Sequence, residues 1–564
     1  MQQINNITPK IIKTPFNGEF PQKQYRGPRP IILLIIDGCG IGPKNKGNAK
    51  ARANTPNMDN FCENFPHTQL EASGEAVGLP HGVDGSSETG HLNIGAGYIV
   101  YQELARINTA IADGSFFENP SFHKAFKHVK EHNSTLHLIG LVGSGSVHSN
   151  VEHLYALLNL CKRENIQDVY IHAFTDGRDS PPTSALNYIK QIQEKCNDLG
   201  FGKIATIMGR YYAMDRDKRW ERIEKAYNTL TLGTGACTKD PFAVIQEAYK
   251  RGVTDEFIEP INVCEGDGST RLVEDNDAVI FFNYRVDRPR ELSRAFVMED
   301  FEKGIIKEDY DPYHEKYYKT SIQETKTVPT FQRKKVIRNL HFSSMTTYED
   351  LLPVDVAFPR KKIENSLGEI LARNGVKQLR ITETEKEKFV TYYLNGQREE
   401  PFPGEDRIIF PSKGVKSYDG VPEMRAREIA DKIVKVLDED SYDIIIANIS
   451  NPDMIGHTGN LEAGIKAMEI TDEVMKKIVQ KILEKNGLVI LTSDHGNIEE
   501  MINNDTGEVD TEHSSYPVPI CFLSNENCNK PVFLATGILA DIAPTILKIM
   551  GLEKPQSMTG RELV

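Results

Sequence analysis

The run IILLIIDG, from Ile31 to Gly38, decides the fold prediction, because six aliphatic residues in succession end in a carboxylate and a glycine. A continuous aliphatic run of this length favours a buried strand of a parallel sheet. Gly38 allows the backbone to turn there, so that Asp37 can leave the edge of the sheet. The sequence therefore predicts a carboxylate at the end of a central strand, with a solvent-exposed turn aspartate as the alternative.

Apolar strand-like runs alternate with amphipathic helical patterns after Ile31, which is typical of α/β layering with mainly parallel sheets. Further predicted strands are Leu136–Val142, Val169–Phe174, Ile204–Met208, Ala278–Phe282, Ile444–Ala447 and Leu488–Leu491. Predicted helices are Val151–Cys161, Ala185–Cys196, Arg425–Val436 and Ala467–Leu483. Each of these strands runs into a segment dense in Asp, His, Arg or Gly. Because ligands bind beyond the carboxyl ends of strands in open α/β sheets, we expect the chemistry at the strand tips of two sheets.

Length, charge and cysteine content limit the class of protein. A chain of 564 residues exceeds what one core usually supports, so two domains are expected. The net charge of -13 argues against nucleic acid or an anionic membrane surface as a partner. The aliphatic runs are too short to span a bilayer and the N-terminus lacks the apolar region of a secretory signal, which predicts a cytoplasmic protein. The eight cysteines show no CxxC spacing, so reduced and mostly buried thiols are expected.

Two segments are predicted to lie outside the folded cores. Residues 1–30 mix Asn, Gln, Lys and Pro without apolar periodicity, which is typical of a flexible N-terminal extension. Residues 303–338 are charged and rich in tyrosine, which is typical of an inserted loop or linker. A domain boundary is expected near the end of this second segment.

Side chains with metal-binding potential lie in short segments marked by Gly or Pro. They are Asp37, Ser87, Asp453, His457, Asp494, His495 and His513. In NPDMIGHTG, the four-residue spacing of Asp453 and His457 would put both on one face of a helical turn. Carboxylates, imidazoles and an alkoxide suit Mn²⁺, Zn²⁺ or a related ion. Two such ions can clamp the attacking and leaving oxygens of a phosphoryl group, so the pattern predicts a phosphoryl-transfer enzyme.

The remaining candidates lie in turns. Asp494 and His495 close the run LVILTSDHGN, where Gly496 is expected to provide the turn that lets both reach one ion. His513 lies in the Pro-flanked loop TEHSSYPVP, with a lone surface histidine as the alternative. Ser87 lies in GSSETGHLNIGAG and is predicted at a helix N-terminus, where backbone N–H groups and the helix dipole favour negative charge. The alternative is a simple N-cap serine, whereas metal ligation would make it a nucleophile.

The motifs, taken together, resemble a known family. IIDGCGIG, GSSETGHLNIGAG, HAFTDGRD, GRYYAMDRDKRW, FFNYRVDR, ETEK, NPDMIGH, SDHGN and EHSSYPVP resemble the cofactor-independent (2,3-bisphosphoglycerate-independent) phosphoglycerate mutases. The resemblance implies a phosphatase-like domain of the alkaline phosphatase superfamily, with a mainly parallel sheet sandwiched by helices, over residues 31–101 and 339–564. A second α/β domain that holds the glycerate would be inserted at residues 102–338.

The resemblance also implies an activity, the interconversion of 3-phosphoglycerate and 2-phosphoglycerate in glycolysis and gluconeogenesis. It implies a monomer that acts on a small molecule without a requirement for 2,3-bisphosphoglycerate. Two divalent ions are implied, with Mn²⁺ expected and Co²⁺ or Zn²⁺ as alternatives. One ion would be bound by Asp453, His457 and His513, and the other by Asp37, Ser87, Asp494 and His495.

Ser87 and Lys386 would carry the phosphoryl chemistry by the same resemblance. Ser87 becomes the phosphorylated residue, and Lys386 in ETEK would neutralise phosphoryl charge beside it, with a solvated lysine as the alternative. The substrate-binding arginines would be Arg178, Arg210, Arg216, Arg285 and Arg288. The planar fork of arginine pairs with a carboxylate or a phosphate, although surface solvation is the alternative for any single one.

His148 and Asp179 match family residues that contact the glycerate hydroxyls, and Asp179 is the candidate that moves protons between them. The chain departs from the family pattern at Ser144, since it reads GSGSVHSN where the family usually reads SDGGVHSH. A second departure is Val286, where the family commonly has proline. Closure of the second domain, with hinges near Tyr101 and Arg338, would exclude water while glycerate reorients.

Two other functions are open at this point. A metal-dependent phosphatase, or another phosphomutase of the superfamily, would share the metal ligands but not the arginine-rich second domain. A non-catalytic binding protein would keep the fold without turnover.

Overall fold

Two sheets of mainly parallel strands organise the chain, one in each of the two units into which it divides. Unit 1 comprises Met1–Gln102 and Lys362–Val564, and unit 2 comprises Glu103–Lys361. The computed structural model describes residues 8–14, 25–304, 329–504, 506–530 and 532–564. Both units are α/β, so the predicted fold class is confirmed.

The sheet of unit 1 is built around the strand that the run IILLII predicts. Its strands are β1 (Lys10–Ile12), β2 (Ile31–Ile36), β3 (His67–Glu71), β12 (Gln378–Glu383), β13 (Glu405–Phe410), β14 (Ile444–Ile449), β15 (Leu488–Thr492), β16 (Val518–Leu523) and β17 (Gly537–Ile538). In the described residues their order is β1-β13-β12-β14-β2-β15-β16-β3-β17. Strands β13, β12, β14, β2 and β15 are parallel to one another. Strand β16 runs antiparallel to both β15 and β3.

Strand β2 is buried on both faces because successive side chains point to opposite sides of a sheet. Ile32, Leu34 and Ile36 belong to one hydrophobic core, and Ile31, Leu33 and Ile35 to the other. The unit 1 helices are α1 (Ala49–Arg52), α2 (Pro56–Asn64), α3 (Ser87–Ala96), α12 (Leu367–Arg373), α13 (Ala426–Asp438), α14 (Asn451–Gly456), α15 (Leu461–Glu484) and α16 (Ile542–Met550). Helices α2, α13 and α15 cover the first core, and α3, α12 and α16 the second.

Unit 2 has a second sheet of the same kind. Its strands are β4 (Leu136–Val142), β5 (Val169–Thr175), β6 (Lys203–Gly209), β7 (Ala236–Thr238), β8 (Ile261–Val263), β9 (Ala278–Phe281), β10 (His341–Thr346) and β11 (Asp355–Phe358). Their order is β11-β10-β9-β4-β5-β6-β8-β7 in the part of the chain that is described. All neighbouring pairs are parallel except β6 and β8.

Helices flank this second sheet as well. They are α4 (Glu103–Asp113), α5 (Pro120–His132), α6 (Val151–Arg163), α7 (Ala185–Leu199), α8 (Arg210–Ala213), α9 (Trp220–Leu232), α10 (Pro241–Lys250) and α11 (Arg290–Val297). Across both units, no helix within the described ranges combines the length and the apolar content needed to cross a membrane.

The expected flexible extension over residues 1–30 needs a correction. Lys10–Ile12 forms β1, which pairs antiparallel with β13 at the edge of the unit 1 sheet. The Thr14 backbone N–H also donates to Asp406 Oδ1 at 3.2 Å. The short run KII was overlooked because three residues give too little periodicity to identify a strand. Residues 1–7 and 15–24 lie outside the described residues.

The second domain boundary and the 303–338 segment also differ from expectation. Strands β10 and β11 follow residue 338, yet they continue the unit 2 sheet beside β9, so the division falls after Lys361. Phe331 and Ile337 are buried in the unit 2 core, and the Tyr227 hydroxyl donates to the Lys335 carbonyl at 2.8 Å. The last part of the segment is therefore packed, while residues 305–328 lie outside the described residues.

The expectation of reduced thiols is wrong for one pair of cysteines. Cys237 and Cys264 form a disulfide, with their Cα atoms 5.8 Å apart. Strands β7 and β8 pair in parallel and bring these two cysteines within disulfide range. Cys161 and Cys196 are free and buried, Cys528 is free and exposed, and Cys39 and Cys521 are buried.

Candidate active site

Three neighbouring strands of unit 1 deliver most of the predicted metal ligands to one edge of the sheet. Asp37 follows β2, and Asp494 and His495 follow β15 on one side of it. Strand β14 lies on the other side and leads into α14, which carries Asp453. The carboxyl ends of parallel strands meet at the same edge, so residues separated by more than 400 positions become neighbours.

The first group of possible ligands, called metal group A, is Asp453, His457 and His513, whose ligand atoms all lie within 4.8 Å of one another. Asp453 and His457 lie one helical turn apart, with His457 Nε2 at 3.4 Å from Asp453 Oδ1. His513 Nε2 lies 3.5 Å from the same carboxylate oxygen. A cation beside Asp453 Oδ1 would therefore be within reach of both imidazoles.

The imidazole tautomers of group A suit a cation. His457 Nδ1 lies 2.7 Å from the Thr511 carbonyl, and His513 Nδ1 lies 2.8 Å from the Gly85 carbonyl. A carbonyl only accepts, so each Nδ1 carries the proton and each Nε2 of a neutral ring carries a lone pair. The two Nε2 atoms lie 3.1 Å apart, so either one ring is protonated and donates to the other, or a cation contacts both lone pairs.

The second group, called metal group B, is Asp37, Asp494 and His495, all fully buried, with ligand atoms again within 4.8 Å of one another. His495 Nε2 lies 3.6 Å from Asp37 Oδ1 and 3.4 Å from Asp494 Oδ2. Gly38 has φ +67, the left-handed conformation that glycine adopts without strain, and an added Cβ would lie 2.7 Å from the Asp453 Cβ. The predicted turn after Asp37 is thus formed at Gly38.

Ser87 is the first residue of α3, and its neighbour Ser86 is the N-cap. The Ser86 hydroxyl accepts from the Thr89 backbone N–H, which leaves the Ser87 hydroxyl free of the capping role. Ser87 Oγ lies 2.9 Å from His495 Nε2 and 3.4 Å from Asp37 Oδ1. The serine that the sequence singled out therefore lies against metal group B at the positive end of a helix dipole.

Lys386 lies in the 3₁₀ turn Thr384–Lys386 and is buried, so it is not the solvated lysine of the alternative interpretation. Its Nζ donates to Ser87 Oγ at 2.7 Å, to Asp37 Oδ1 at 2.6 Å and to Asp453 Oδ2 at 2.7 Å. Burial opposes its charge, but Asp37 and Asp453 outweigh burial and raise the pKa of Lys386 well above its usual value. A permanent positive charge beside the serine would favour a phosphoryl group there.

Sequence reasoning missed several residues that hold the ligands. The Asn448 amide donates to Asp37 Oδ2 at 2.6 Å, and the Asn497 amide donates to Asp453 Oδ1 at 2.8 Å. His91 Nδ1 lies 3.2 Å from Asp494 Oδ2, and both side chains are fully buried. His91 and Asn497 lie inside motifs already singled out, and Asn448 lies within β14, but amide and imidazole spacing alone does not distinguish them from ordinary core residues.

Unit 2 gathers the predicted substrate-binding residues beyond the carboxyl ends of β4, β5, β6 and β9. Arg210 follows β6 and is only 2% exposed. Its Nη1 donates to Asp176 Oδ1 at 2.6 Å and to Asp179 Oδ2 at 2.5 Å. Asp176 was not identified from the sequence, although it lies in HAFTDGRD.

Asp287, also missed by sequence reasoning, anchors a second cluster in unit 2. Arg216 Nη1 donates to Asp287 Oδ2 at 2.8 Å, and Arg285 Nε lies 3.2 Å from Asp287 Oδ1. His148 lies between the two carboxylates, with Nδ1 3.6 Å from Asp287 Oδ1 and Nε2 3.8 Å from Asp179 Oδ2. Burial lowers the pKa of His148 to about 2 despite Asp287, with nearby arginines adding to the effect. A neutral His148 can donate or accept a hydrogen bond but does not act as a cation.

Arg288 and Arg178 complete the cluster. Arg288 Nη1 donates to the Met214 carbonyl at 2.8 Å. Burial, followed by repulsion from Arg210 and Arg216, lowers the pKa of Arg288 to about 10. Arg178 is 53% exposed, with Nη1 3.7 Å from Glu256 Oε1. A crowded set of arginines, in which the pKa of Arg288 is lowered, is a site where an anion would be stabilised.

The loop around His148 is held by backbone groups at the position where Ser144 departs from the family pattern. The backbone N–H groups of Ser144 and Gly145 donate to Ser180 Oγ at 3.0 and 3.1 Å. Ser180 Oγ in turn donates to Asp176 Oδ2 at 2.8 Å. The His148 carbonyl accepts from the Tyr284 backbone N–H at 2.9 Å, so the loop is fixed without an acidic side chain at Ser144.

Two family models match the chain. Residues 107–350 match the model described as BPG-independent PGAM N-terminus, and residues 307–552 match the Sulfatase model. These two matches and the ligands that converge at the unit 1 sheet define the class of protein. It is a two-unit α/β protein of the alkaline phosphatase superfamily.

Curated relatives identify the family. The chain is 47% identical over 536 residues to a 2,3-bisphosphoglycerate-independent phosphoglycerate mutase of Moorella thermoacetica, with 95% of this chain and 98% of that protein covered. It is 48% identical over 537 residues to the protein of the same name from Clostridium botulinum, with 95% and 99% covered. A phosphoglycerate mutase structure from Leishmania mexicana, determined at low cobalt concentration, matches with a TM-score of 0.61, 28% identity and coverage of 96% and 98%. The chain belongs to the 2,3-bisphosphoglycerate-independent phosphoglycerate mutase family.

Proposed function

We propose that this protein interconverts 3-phosphoglycerate and 2-phosphoglycerate through a phosphoserine at Ser87, with two divalent metal ions and without 2,3-bisphosphoglycerate. Relatives that share almost half of their residues with the chain over nearly its full length carry the mutase name. The observation that carries the proposal is the position of the Ser87 hydroxyl, 2.7 Å from Lys386 Nζ and 2.9 Å from His495 Nε2.

The donor sets support two metal ions in the roles that the resemblance assigns. Metal group A, with one carboxylate and two imidazoles, would hold one ion. Metal group B and Ser87 Oγ would hold the other. Mixed carboxylate and imidazole donors accept Mn²⁺, Co²⁺ or Zn²⁺, and Mn²⁺ is proposed because the family resemblance implies it. When bound, such ions would supply positive charge to the transferred phosphoryl group and lower the pKa of the serine hydroxyl.

The chain's own residues would perform the remaining work. The Ser87 hydroxyl gives up its proton and its Oγ attacks the phosphorus of 3-phosphoglycerate in line, so that the Oγ–P bond forms as the bond from phosphorus to the glycerate 3-oxygen breaks. The glycerate 3-oxygen takes up a proton as it leaves. The 2-hydroxyl of the retained glycerate then gives up its proton and attacks the phosphoserine, and the released Ser87 Oγ takes up a proton again. Lys386 would offset the negative charge that builds up on the phosphoryl oxygens.

Residues of unit 2 would hold the glycerate between the two steps. Arg178, Arg210, Arg216, Arg285 and Arg288 would bind its carboxylate and the incoming phosphate. Asp179 would move protons between the two hydroxyls, and His148 would direct a hydrogen bond to them as a neutral ring. Retention matters because a water molecule that reached the phosphoserine first would make the protein a phosphatase. A monomer acting on this small molecule in the cytoplasm is part of the same proposal.

Replacing Ser87 with Ala tests the proposal. Removing the hydroxyl is expected to abolish the formation of 2-phosphoglycerate, measured by coupling the product to enolase. Wild-type protein quenched in acid with 3-phosphoglycerate is expected to carry phosphate on Ser87, identified by mass spectrometry. No 2,3-bisphosphoglycerate is added in either experiment.

The matched control is Ser86→Ala, which removes the neighbouring hydroxyl. Ser86 is the N-cap of α3, so its loss is expected to cost about 1 kcal/mol of stability while mutase turnover persists. Release of inorganic phosphate in place of 2-phosphoglycerate by the wild type would instead establish the phosphatase alternative. Turnover that survives in Ser87→Ala would rule out the serine as the nucleophile.

A further inference from the structure

Glu499 is a buried carboxylate that contacts the loops of the two metal groups of unit 1. It has no exposed surface and lies two residues after the motif SDHGN. Its Oε2 accepts from the Gly40 backbone N–H at 2.7 Å and from the Asn497 backbone N–H at 3.0 Å. Its Oε1 accepts a short hydrogen bond from the Ser514 hydroxyl. Three different loops therefore donate to one carboxylate.

Each of the three loops carries metal-group residues. Gly40 lies three residues after Asp37 on the loop that follows β2. Asn497 directly follows the Asp494–Gly496 segment, and its amide donates to Asp453 Oδ1 at 2.8 Å. Ser514 directly follows His513. Through backbone groups and one hydroxyl, Glu499 thus connects residues of metal group A with residues of metal group B.

The glycines of these loops fit around the carboxylate. A Cβ added at Gly40 would lie 2.3 Å from Glu499 Oε1, and one added at Gly496 would lie 2.1 Å from the same atom. A side chain at either glycine would displace the Glu499 carboxylate from its hydrogen bonds, so glycine suits both places where the loops approach Glu499. Gly496 was expected to provide a turn, but it does not have a positive φ. Glycine is needed at this position because of the close approach to Glu499.

We propose that Glu499 is a positioning residue that sets the spacing between metal groups A and B. This role rests on the proposed function, because it matters only if both groups bind metal. Hydrogen bonds to a charged acceptor are worth about twice those to a neutral one, so the carboxylate holds its three donors more firmly than an amide would. Residues that orient metal ligands typically change metal affinity by about 10- to 100-fold when they are altered.

The test compares Glu499→Gln with the wild type in metal binding. The full chain is depleted of metal by chelation and titrated with Co²⁺, while the visible absorption of the bound ion reports its coordination. The amide keeps the size of the side chain but converts one of its two acceptors into a donor. We expect Glu499→Gln to bind Co²⁺ about 10- to 100-fold more weakly and to shift the absorption spectrum. A purely structural role would lower the Tm and leave both readouts unchanged.

Asp541→Asn is the matched control. Asp541 is also a buried carboxylate of unit 1 that accepts from two backbone N–H groups, those of Ile538 at 2.9 Å and Arg561 at 2.6 Å. Its partners lie in the C-terminal part of the unit, outside the ligand-bearing loops. We expect Asp541→Asn to lose stability but to keep the Co²⁺ affinity and spectrum of the wild type.

Two outcomes overturn the proposal. One is a folded Glu499→Gln variant that binds Co²⁺ with the affinity and spectrum of the wild type. If Glu499→Gln does not fold, Ser514→Ala removes a single donor, and an unchanged spectrum in that variant overturns the proposal equally. The proposed function fails by a separate result, in which the wild type binds Co²⁺ but does not convert 3-phosphoglycerate.

Discussion

The two candidate sites of this protein differ in the sign of their excess charge, which is negative in unit 1 and positive in unit 2. In unit 1, Asp37, Asp453 and Asp494 are buried beside Lys386 and four imidazoles, those of His91, His457, His495 and His513. Three carboxylates around one lysine would favour the binding of cations. In unit 2, arginines outnumber the carboxylates around them, and the pKa of Arg288 is lowered to about 10 by burial and by Arg210 and Arg216. One site is short of positive charge and the other has an excess of it.

This difference explains how the ligands of each site are held. In unit 1, the Asn448 and Asn497 amides each hold one carboxylate without neutralising it, and Lys386 is the cation shared by Asp37 and Asp453. The arginines of unit 2 are fixed by aspartates, chiefly Asp176 and Asp287, which neutralise part of their charge. Mutations should therefore affect metal binding in unit 1 and substrate binding in unit 2.

The largest effect is expected from Asp453→Asn. Asp453 contacts His457, His513 and Lys386, so the change leaves a buried lysine with one carboxylate fewer. Breaking a buried pair costs about 3 to 5 kcal/mol of folding stability. Loss of a metal ligand should lower metal affinity and activity by at least the roughly 10- to 100-fold that loss of a ligand-orienting residue costs. Elemental analysis of bound metal and the enolase-coupled assay measure the result. Asp431→Asn, at a largely exposed aspartate paired with Lys477, should change neither quantity.

A smaller and different effect is expected from Arg210→Lys. Arg210 contacts Asp176 and Asp179 through Nη1 alone. Lysine lacks the other guanidinium nitrogens that would bind an anionic substrate, so kcat/KM should fall about 10²-fold through weaker substrate binding. The metal content should equal that of the wild type, because the residue lies in the other unit. Loss of metal in Arg210→Lys would contradict the division of labour between the two sites.

A pH-dependent effect is expected at Glu291 in unit 2. Burial, followed by repulsion from Asp215, raises the pKa of Glu291 from 4.5 to about 8. Between pH 4.5 and about 8, Glu291 is protonated in the folded chain and ionised in the unfolded chain. Its contribution to the free energy of unfolding is therefore complete below the unfolded pKa and is lost as pH rises through the folded pKa. Glu291→Gln should remove the decline, which is worth about 1 to 3 kcal/mol.

Thermal unfolding at pH 6 and pH 9 measures this effect. The wild type should lose a few degrees more of Tm between the two values than Glu291→Gln does. Glu247→Gln, at a mostly exposed glutamate of α10, serves as the control and should follow the wild type. Identical pH profiles for all three proteins would show that Glu291 titrates normally.

The smallest effect on stability is expected from Arg178→Ala. Its side chain is 53% exposed and lies 3.7 Å from Glu256, so its loss should change the free energy of unfolding by less than about 0.5 kcal/mol. If it binds substrate as proposed, KM should nevertheless rise. A large loss of Tm would show that Arg178 supports the fold, as the buried Arg210 does, and would contradict this prediction.

The sequence was sufficient to predict the central strands, because long aliphatic runs leave little choice of structure. β2 has the bounds expected for it, and β4 and β5 begin where their runs begin. The strand β10, HFSSMT, was missed because its buried positions include serines. Ser343 and Ser344 are fully buried, and their hydroxyls find partners in Ser121 and Thr346, which a pattern of apolar residues cannot reveal.

For the candidate site as well, short motifs identify the metal-ligand residues, whereas only the fold identifies the residues that hold them. All seven predicted ligands lie within unit 1, where their convergence follows from strand tips meeting at one edge. Asp176, Asp287 and Glu499 were missed because their importance comes from partners on distant segments. Asp176 and Asp287 lie inside quoted motifs, yet spacing within a motif does not indicate which carboxylate faces an arginine. Only the assembled sheet brings those partners together.

The short strand at Lys10–Ile12 has a consequence for handling the protein. β13 would otherwise present a row of unpaired N–H and C=O groups along the margin of the sheet, and such margins pair readily with strands of other molecules. Removing the first 14 residues as a dispensable tail would uncover that margin. Self-association of the shortened chain, visible in light scattering, would be the cost, even though every residue of both candidate sites remained in place.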